Sequence, residues 1–308
     1  MNGCGVADMR PNPSTLVERF LHNHVPEKGL GQHFLSHSSD VSAVLEPIHD
    51  EDGHLLEIGG GPGGLTAMAL ARGYGVTVIE KDPRAVRHLE SEFNDDIEGG
   101  LLCVIEGDAL RYVPPKNINW IVGNINYGIT SPLLARIDEM YAHSKEYRPC
   151  ASILIQREVA DRLSPSAAGR SRSSLGMVLG LTWDIELGRV ITAERFKPRP
   201  AVDGRILVLR PSPPKGEVNN LRLSRRLIRA GFAHRRRKLS NVFERTPNKI
   251  ERIDGWNKKQ WNRVMRVMLD SSARVTLEKR AEELEVIDWI ELAERFNRAR
   301  TALESRPN

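Results

Sequence analysis

Short apolar runs alternate with amphipathic stretches between residues 54 and 156. We predict strands at His54–Gly59, Gly75–Glu80, Leu101–Glu106, Trp120–Gly123 and Ala151–Gln156. Helical patterns occupy the stretches between them, at Leu65–Arg72, Pro83–Glu92 and Ser131–Tyr141. Buried strands that alternate with helices predict a parallel sheet with helices on both faces, which is a Rossmann-like α/β fold.

The pattern changes after two further β-like runs, Asp184–Ile191 and Arg205–Leu209. The loop between them contains a Lys-Pro-Arg-Pro segment at residues 197–200, whose prolines favour an extended turn and exclude a helix interior. A second group of prolines begins at residue 211, and from Asn220 the pattern is helical, with no convincing strand. We therefore predict a domain boundary within residues 211–219.

Three regions follow from this pattern. Residues 1–26 are polar and form a predicted tail, with one short helix around Thr15–Leu21. Residues 27–210 form the predicted α/β domain. Residues 211–308 form a small C-terminal α-helical domain, in which Leu277–Leu303 has the pattern of a solvated amphipathic helix.

Charge divides the chain at the same place. The formal net charge is +5, but residues 1–210 carry 22 basic and 27 acidic side chains, whereas residues 211–308 carry 23 and 13. A basic domain of this kind usually binds a polyanion, most often nucleic acid. A solvated helix face and a nuclear-localisation signal are the alternatives. The densest part contains Arg222, Arg225, Arg226, Arg229, Arg235, Arg236, Arg237 and Lys238.

Composition excludes several other classes. Hydrophobic residues make up 40% of the chain, as in a globular protein, and no apolar run approaches the roughly 20 residues of a membrane span. The N-terminus lacks the apolar region of a secretory signal. The cysteines, Cys4, Cys103 and Cys150, lack metal-binding spacing and are expected to be free thiols in the cytoplasm. The early histidines (His22, His24, His33 and His37) are more typical of a loop than of a metal site, so we expect no metal.

The glycine-rich segment Glu57–Thr66 follows a predicted strand and opens a helix. Glycines at 59, 61 and 63 allow a sharp turn and a close approach of the backbone to a ligand. Their N–H groups, with the start of the following helix, present partial positive charge. A glycine-rich turn with a purely structural role remains an alternative for this motif taken alone.

Acidic residues end the next two strands. Glu80 lies 19 residues after Gly61, where a carboxylate can accept both ribose hydroxyls of an adenosine cofactor, although it could instead cap the helix that follows. Asp108 ends the third strand, and its carboxylate suits the adenine amino group. Ligand-type residues at three successive strand ends predict a site for an adenosine-containing cofactor.

The fourth strand leads into Asn124-Ile125-Asn126-Tyr127. The N6 amine of adenine is a poor nucleophile because its lone pair is delocalised into the ring. The side-chain oxygen of Asn124 and a backbone carbonyl could accept its two N–H bonds and free the lone pair for in-line attack on a methyl sulfonium, while Tyr127 stacks on the base. Taken alone, these residues fit a structural turn and a packed tyrosine somewhat better.

Several longer motifs carry a resemblance to a known family. From about Lys28 to at least Asn241, the chain resembles the small-subunit rRNA adenine N6,N6-dimethyltransferases of the KsgA type. The matching segments are Gly29–Leu35, the Glu-Ile-Gly-x-Gly-x-Gly-x-Leu-Thr loop, Glu80, Gly107–Leu110, Gln156–Ala160, Phe196–Asp203 and Phe232–Asn241. Together these motifs are highly specific.

The resemblance implies S-adenosylmethionine as cofactor. It also implies two adjacent adenosines in a hairpin loop near the 3′ end of small-subunit rRNA as the target, each dimethylated on N6. Asn124 and Tyr127 would face the target base. By position, the cofactor site would be lined by His33, Leu35, Gly59, Gly61, Glu80, Asp108 and Asn124.

Asn126 departs from the family pattern, which has proline there. Proline fixes φ near −65° and removes an N–H donor, whereas asparagine is less rigid and adds a competing polar side chain. We hypothesise that methylation is slower, or that only one methyl is added to each base.

The sequence thus predicts a methyltransferase that acts on rRNA of the pre-small ribosomal subunit. We expect it to be a monomer and not to associate with a membrane. One rival function is a resistance-type methylase of large-subunit rRNA, which shares the fold and the Asn/Tyr motif. The other is a non-catalytic, RNA-binding assembly factor with the same fold, which Asn126 favours.

Overall fold

The computed structural model describes residues 10–49, 53–141, 148–164, 166–213 and 215–305, so Cys4 lies outside the described residues. The chain forms two compact units. The first contains the described residues up to Ala160 together with Glu186–Pro211, and the second contains Asp161–Ile185 and the residues from Ser212 onward.

One segment belongs to a different unit from the one expected. The sequence assigns Asp161–Ile185 to the α/β domain, but in the structure it is part of the second unit. Met177, Val178 and Leu181 explain this, because they are buried in the same apolar cluster as the C-terminal helices. The second unit is therefore built from two separate stretches of chain.

The first unit is organised around a seven-stranded sheet, and its strand order confirms the α/β prediction. Seven strands form this sheet: β2 (His54–Ile58), β3 (Gly75–Glu80), β4 (Leu102–Glu106), β5 (Trp120–Asn124), β6 (Cys150–Gln156), β7 (Trp183–Ile191) and β9 (Gly204–Pro211). The other two strands are β1 (Phe34–Leu35) and β8 (Phe196–Lys197). The order is β4-β3-β2-β5-β6-β9-β7, with β4 through β6 parallel and β9 antiparallel to β6. The parallel strands therefore place their carboxyl ends along one edge.

A second, two-stranded sheet was not predicted. β1 pairs antiparallel with β8, so that Phe34 lies opposite Lys197 and Leu35 opposite Phe196. Two-residue strands have no periodicity that a sequence pattern could reveal. Their pairing joins the segment before β2 to the proline-rich loop after β7.

The helices of the first unit begin close to where the pattern places them. α4 begins at Pro83 because Asp82 caps it, accepting a hydrogen bond from the backbone N–H of Arg84 at 3.0 Å. The helices are α1 (Pro13–Asn23), α2 (Ser38–Leu45), α3 (Gly64–Ala71), α4 (Pro83–Glu92), α5 (Asn94–Glu98) and α6 (Thr130–Tyr141), and α7 (Arg157–Leu163) runs from the first unit into the second.

From Ser212 onward the described residues form helices, joined by one isolated β-bridge between Lys238 and Arg280. Trp261 and Phe296 stack at the centre of this unit, with ring centroids 4.8 Å apart. The helices of the second unit are α8 (Ser174–Leu179), α9 (Val218–Ala233), α10 (Leu239–Phe243), α11 (Lys258–Leu269), α12 (Arg274–Leu277) and α13 (Val286–Glu304).

The single helix predicted at Leu277–Leu303 is wrong at its start. α12 ends at Leu277, and α13 begins only at Val286, where the side chain of Asp288 accepts a hydrogen bond from the backbone N–H of Glu285 at 2.8 Å. α13 is also less solvated than predicted, since Trp289 and Phe296 are buried. Across the described residues, no helix is both long and apolar enough to cross a membrane.

A buried carboxylate on α2 binds two arginines from the segment 183–197. Asp40 is fully buried and accepts hydrogen bonds from Arg189 at 2.8 Å and Arg195 at 2.6 Å. Two guanidinium groups offset the cost of burying this charge, and loss of one partner would leave a buried charge unpaired. The two arginines therefore tie α2 to β7 and to the segment before β8.

Glu57 is a second buried acid, near the end of β2. Its carboxyl accepts a hydrogen bond from the hydroxyl of Thr66 at 2.6 Å. Removal from water raises the pKa of Glu57 to about 8, against the weaker opposing effect of the Thr66 bond. The folded protein therefore binds a proton at Glu57 at neutral pH that the unfolded chain releases.

This proton makes stability depend on pH. Because the pKa is raised from 4.5 to about 8 on folding, the free energy of unfolding falls as the pH rises through this window. We expect Glu57→Gln to flatten the decrease, since glutamine is neutral and its oxygen can still accept the Thr66 bond. Urea denaturation of both proteins at the two ends of the window measures the effect. Equal slopes for wild type and variant would contradict the assignment, and Glu46→Gln, outside the core, is the control.

Candidate functional site

The carboxyl ends of β2, β3 and β5 open onto one cavity in the first unit. The structure brings all eight predicted site residues into its lining: His33, Leu35, Gly59, Gly61, Glu80, Asp108, Asn124 and Tyr127. Residues from five separate stretches of chain meet there, as expected at the strand ends of an open α/β sheet.

The glycine-rich turn forms the floor of this cavity. Gly59, Gly61 and Gly63 have φ values of 78°, 50° and 89°. Residues other than glycine rarely adopt this left-handed region. A Cβ at Gly59 would meet no atom within 4 Å, whereas one at Gly61 would lie 3.0 Å from Phe34. The space above Gly59 is therefore open to a ligand, while Gly61 is required by the packing of the turn.

Glu80 is held by three backbone amides. One carboxylate oxygen accepts the N–H of Gly61 at 2.9 Å, and the other accepts those of Lys81 and Asp82 at 2.7 and 2.8 Å. Helix α4 is capped by Asp82, so the alternative in which Glu80 caps this helix is wrong. Two oxygens can accept about four hydrogen bonds, which leaves capacity for a ligand hydroxyl.

Asp108 lies farther out on the same edge. The backbone N–H of Leu110 donates to its carboxylate at 2.9 Å, and Lys81 forms an ion pair with it at 3.2 Å. The amide bond from Leu110 is the main cause of the lowered pKa of Asp108. The group is therefore an ionised acceptor, suited to an exocyclic amine.

Asn124 ends β5 with its side chain held in one orientation. Its amide nitrogen donates to the carbonyl oxygen of His33 at 2.6 Å, and among the described residues nothing donates to its amide oxygen. That oxygen is therefore available as an acceptor in the cavity.

Tyr127 lies beside Asn124 and forms an aromatic pair with His33. Their ring centroids are 6.1 Å apart and the planes are inclined by 27°. The hydroxyl donates to the carbonyl of Val202 at 3.5 Å, and burial, together with Asp203, raises the pKa of Tyr127. His33 is held in turn by its Nδ1, which lies 2.8 Å from the carbonyl oxygen of Pro198.

Sequence reasoning did not foresee the contacts of Asn126. Its amide nitrogen donates to the carbonyl of Leu30, and its amide oxygen accepts the N–H of Gly128 at 2.8 Å. A Cβ at Gly31 would clash with the same side chain. Asn126 thus joins the turn after β5 to the segment before β1, a contact that proline could not make.

The segment before β1 is also fastened at its other side. Gln32 donates to Asp82 at 2.8 Å. Burial opposes ionisation of Asp82, but bonds from Arg84 and Gln32 outweigh it and lower its pKa to about 2. Gln32, Glu57 and Asn126 also line the cavity, although none of them was among the predicted site residues. Glu57 and Asn126 are close in sequence to residues that were predicted, whereas only the folded chain brings Gln32 there.

The donors and acceptors around the cavity fit an adenosine-containing group. Glu80 can accept ribose hydroxyls, Asp108 an amine, and the open space above Gly59 admits a group close to the backbone. Within the described residues, no three His, Cys, Asp or Glu side chains come together as metal ligands would.

Known proteins give the site a context. The family model described as ribosomal RNA adenine dimethylase matches residues 23–291. A protein named probable ribosomal RNA small subunit methyltransferase A, from Natronomonas pharaonis, is 35% identical over 76% of this chain and 83% of its own length. Ribosomal RNA small subunit methyltransferase A of Anaeromyxobacter dehalogenans is 32% identical over 77% of this chain and 85% of its own.

Solved structures agree on the fold. A dimethyladenosine transferase from Plasmodium falciparum superposes with a TM-score of 0.70 at 24% identity, over 87% of this chain and 98% of that one. The 23S rRNA methyltransferase ErmE superposes with a TM-score of 0.63 at 25% identity, over 86% and 99%. The methyl donor of this family is S-adenosylmethionine, which fits the adenosine-type site. The chain belongs to the ribosomal RNA adenine dimethylase family.

Proposed function

We propose that this chain methylates N6 of adenosines in small-subunit rRNA during ribosome biogenesis. The relatives above that carry a small-subunit name support this choice of RNA. As finer parts of the proposal, the target is two adjacent adenosines in a hairpin loop near the rRNA 3′ end, and each receives two methyl groups. The protein acts as a monomer on the pre-small subunit, and its location in the cytoplasm stays a prediction.

The observation that carries the proposal is the fixed amide of Asn124. Because its nitrogen is bonded to His33, its oxygen has one orientation and no partner among the described residues. An N6 amine that enters the cavity can donate one N–H to this oxygen and the other to the backbone carbonyl of Ile125, which lines the same cavity. Both bonds withdraw the nitrogen from conjugation with the ring, which restores its lone pair.

Tyr127 orients the base for this step. Its ring already pairs with His33, and a base–aromatic contact is worth about 1–3 kcal/mol. Because a base has to leave its stack to enter the cavity, an unpaired loop costs least to bind. Tyr127 therefore acts through position, with its hydroxyl turned toward Val202.

The cofactor supplies an electrophilic methyl group on a sulfonium, and this chain supplies its position. Glu80 would receive a ribose hydroxyl and Asp108 the adenine amine, while Gly59 would allow a close approach of the cofactor to the backbone. His33 and Leu35 enclose the cavity from the segment before β2. These groups would hold the methyl donor in a fixed position relative to the amine bound at Asn124.

The resistance-type alternative rests on the superposition with ErmE, and the assembly-factor alternative rests on Asn126. Labelled methyl transfer to undermethylated small subunits, with large subunits in parallel, tests all three functions. We expect label in small subunits alone. Label in large subunits would favour the resistance type, and tight binding without transfer would favour the assembly factor.

Asn124 and Tyr127 can be separated by their variants. We expect Asn124→Ala to lower kcat by about 10²–10³, as loss of one preorganised polar contact does, with cofactor affinity changed far less. Tyr127→Ala should raise KM for the RNA by about tenfold, in line with the loss of stacking. Tyr127→Phe is the matched control and should stay within a few-fold of wild type, since the ring is kept. A strong loss in the Phe variant would instead assign the chemistry to the hydroxyl.

Asn126 is expected to limit the second methylation. No described residue accepts a hydrogen bond from its backbone N–H, so Asn126→Pro removes the link to Leu30 without breaking a backbone bond. We expect the variant to raise the ratio of dimethyl- to monomethyladenosine in single-turnover product analysis, with Asn126→Ala as the control that lacks proline's rigidity. An unchanged ratio in Asn126→Pro, with wild type already at full dimethylation, would refute the hypothesis.

A further inference from the structure

The basic residues that form one run in the sequence have different surroundings in the folded second unit. Arg225 is buried and donates to the hydroxyl of Thr182 at 3.3 Å. Arg235 forms an ion pair with Glu282 at 3.0 Å, and Lys238 forms one with Glu278 at 2.7 Å. Burial therefore keeps Arg225 away from a ligand in solvent, and Arg235 and Lys238 are already paired with acids.

Four other cations line one surface cavity of this unit. Arg226 and Arg229 lie on α9, and Arg245 and Lys249 lie in the loop after α10. On α9 the cavity takes positions 226, 229, 230 and 233, which share one face of a helix. Among the described residues, none of the four cations forms an ion pair.

The positive charges around this cavity repel one another. Arg226 is half-buried, and its pKa is lowered by burial and by the neighbouring Arg229 and Arg252. Glu251 is the one acid that opposes this effect. A bound anion would offset the repulsion that the protein's own side chains leave uncompensated.

Two further features of the same cavity point to a ligand. The hydroxyl oxygen of Thr246 is buried and has no hydrogen-bond partner in the described part of the chain. Lys249 has φ 59°, and it is the one non-glycine residue with positive φ among those described. An unsatisfied buried hydroxyl and a strained backbone both cost free energy, and such costs collect at binding sites.

We propose that this cavity, lined by Arg226, Arg229, Arg245, Thr246 and Lys249, binds a backbone phosphate of RNA. Guanidinium groups match phosphate oxygens in pairs. The choice of RNA over a free anion rests on the proposed function. Exposed Arg229, Arg245 and Lys249 keep the cavity accessible to a large polyanion.

The test compares two double variants with the same change of net charge. Arg229→Gln/Arg245→Gln removes two cavity cations, and Arg263→Gln/Arg298→Gln removes two exposed cations of α11 and α13 that do not line it. We expect the cavity variant to bind a short fluorescent hairpin RNA about tenfold more weakly. The slope of log Kd against log salt should fall by roughly 0.7–0.9 for one lost phosphate contact. Equal losses in the two variants, or none in the cavity variant, would overturn the proposal.

Lys249→Gly separates binding from folding. Glycine accepts a positive φ without strain, so the melting temperature should stay equal or rise while RNA binding weakens. Unchanged RNA binding in this variant would count against the cavity. Inorganic phosphate alone is the second probe: if it raises the melting temperature of wild type but the cavity variant binds RNA normally, the cavity takes a free anion and not RNA.

Methyl transfer by wild type to undermethylated small subunits is measured in parallel. If RNA binding depends on the cavity but wild type transfers no methyl group, the proposed function is contradicted and the phosphate site stands. If wild type methylates small subunits but the cavity and control variants bind RNA equally well, the phosphate site is contradicted and the proposed function stands.

Discussion

The cofactor site depends on one carboxylate. Glu80 accepts the backbone N–H groups of Gly61, Lys81 and Asp82, and so fastens the glycine-rich turn after β2 to the end of β3 and the start of α4. Without it, the turn would present an unsatisfied buried amide, and the space above Gly59 would lose its fixed floor. The carboxylate keeps capacity for about one further hydrogen bond, so one side chain both shapes the cavity and offers an acceptor within it.

The local parts of this site could be predicted from the sequence because their geometry follows from residues close together in the chain. A strand, a glycine-rich turn and a helix place Gly59 and Gly61, and an acid at a strand end, as at Glu80 and Asp108, must lie on the same edge of a parallel sheet. For the same reason the bounds of β3 and α4 agree with prediction to the residue.

The parts that could not be predicted are contacts between distant segments. Asn126 and Leu30 are 96 residues apart in the chain, and no periodicity marks their hydrogen bond. Asp161–Ile185 was assigned to the wrong unit because its apolar residues have the same pattern whichever core they enter. Asn126 is also where the family pattern is broken, so the departure that sequence comparison singles out becomes, in the structure, a link between the turn after β5 and the segment before β1.

Charge makes the same distinction between what is local and what is not. The sequence shows a basic run, and counting it predicts affinity for a polyanion, but it cannot say which cations are free. In the structure, Arg235 and Lys238 are paired with acids. Arg226 and Arg229 instead lie together with Arg245 and Lys249 around one cavity. Phosphate contacts of this kind position an RNA but carry no sequence information. Under the proposed function, the choice of adenine is therefore made in the first unit. There the unpartnered oxygen of Asn124 would accept an amine that cytosine and guanine also carry, so the ring of Tyr127 and the shape of the cavity would have to reject those bases.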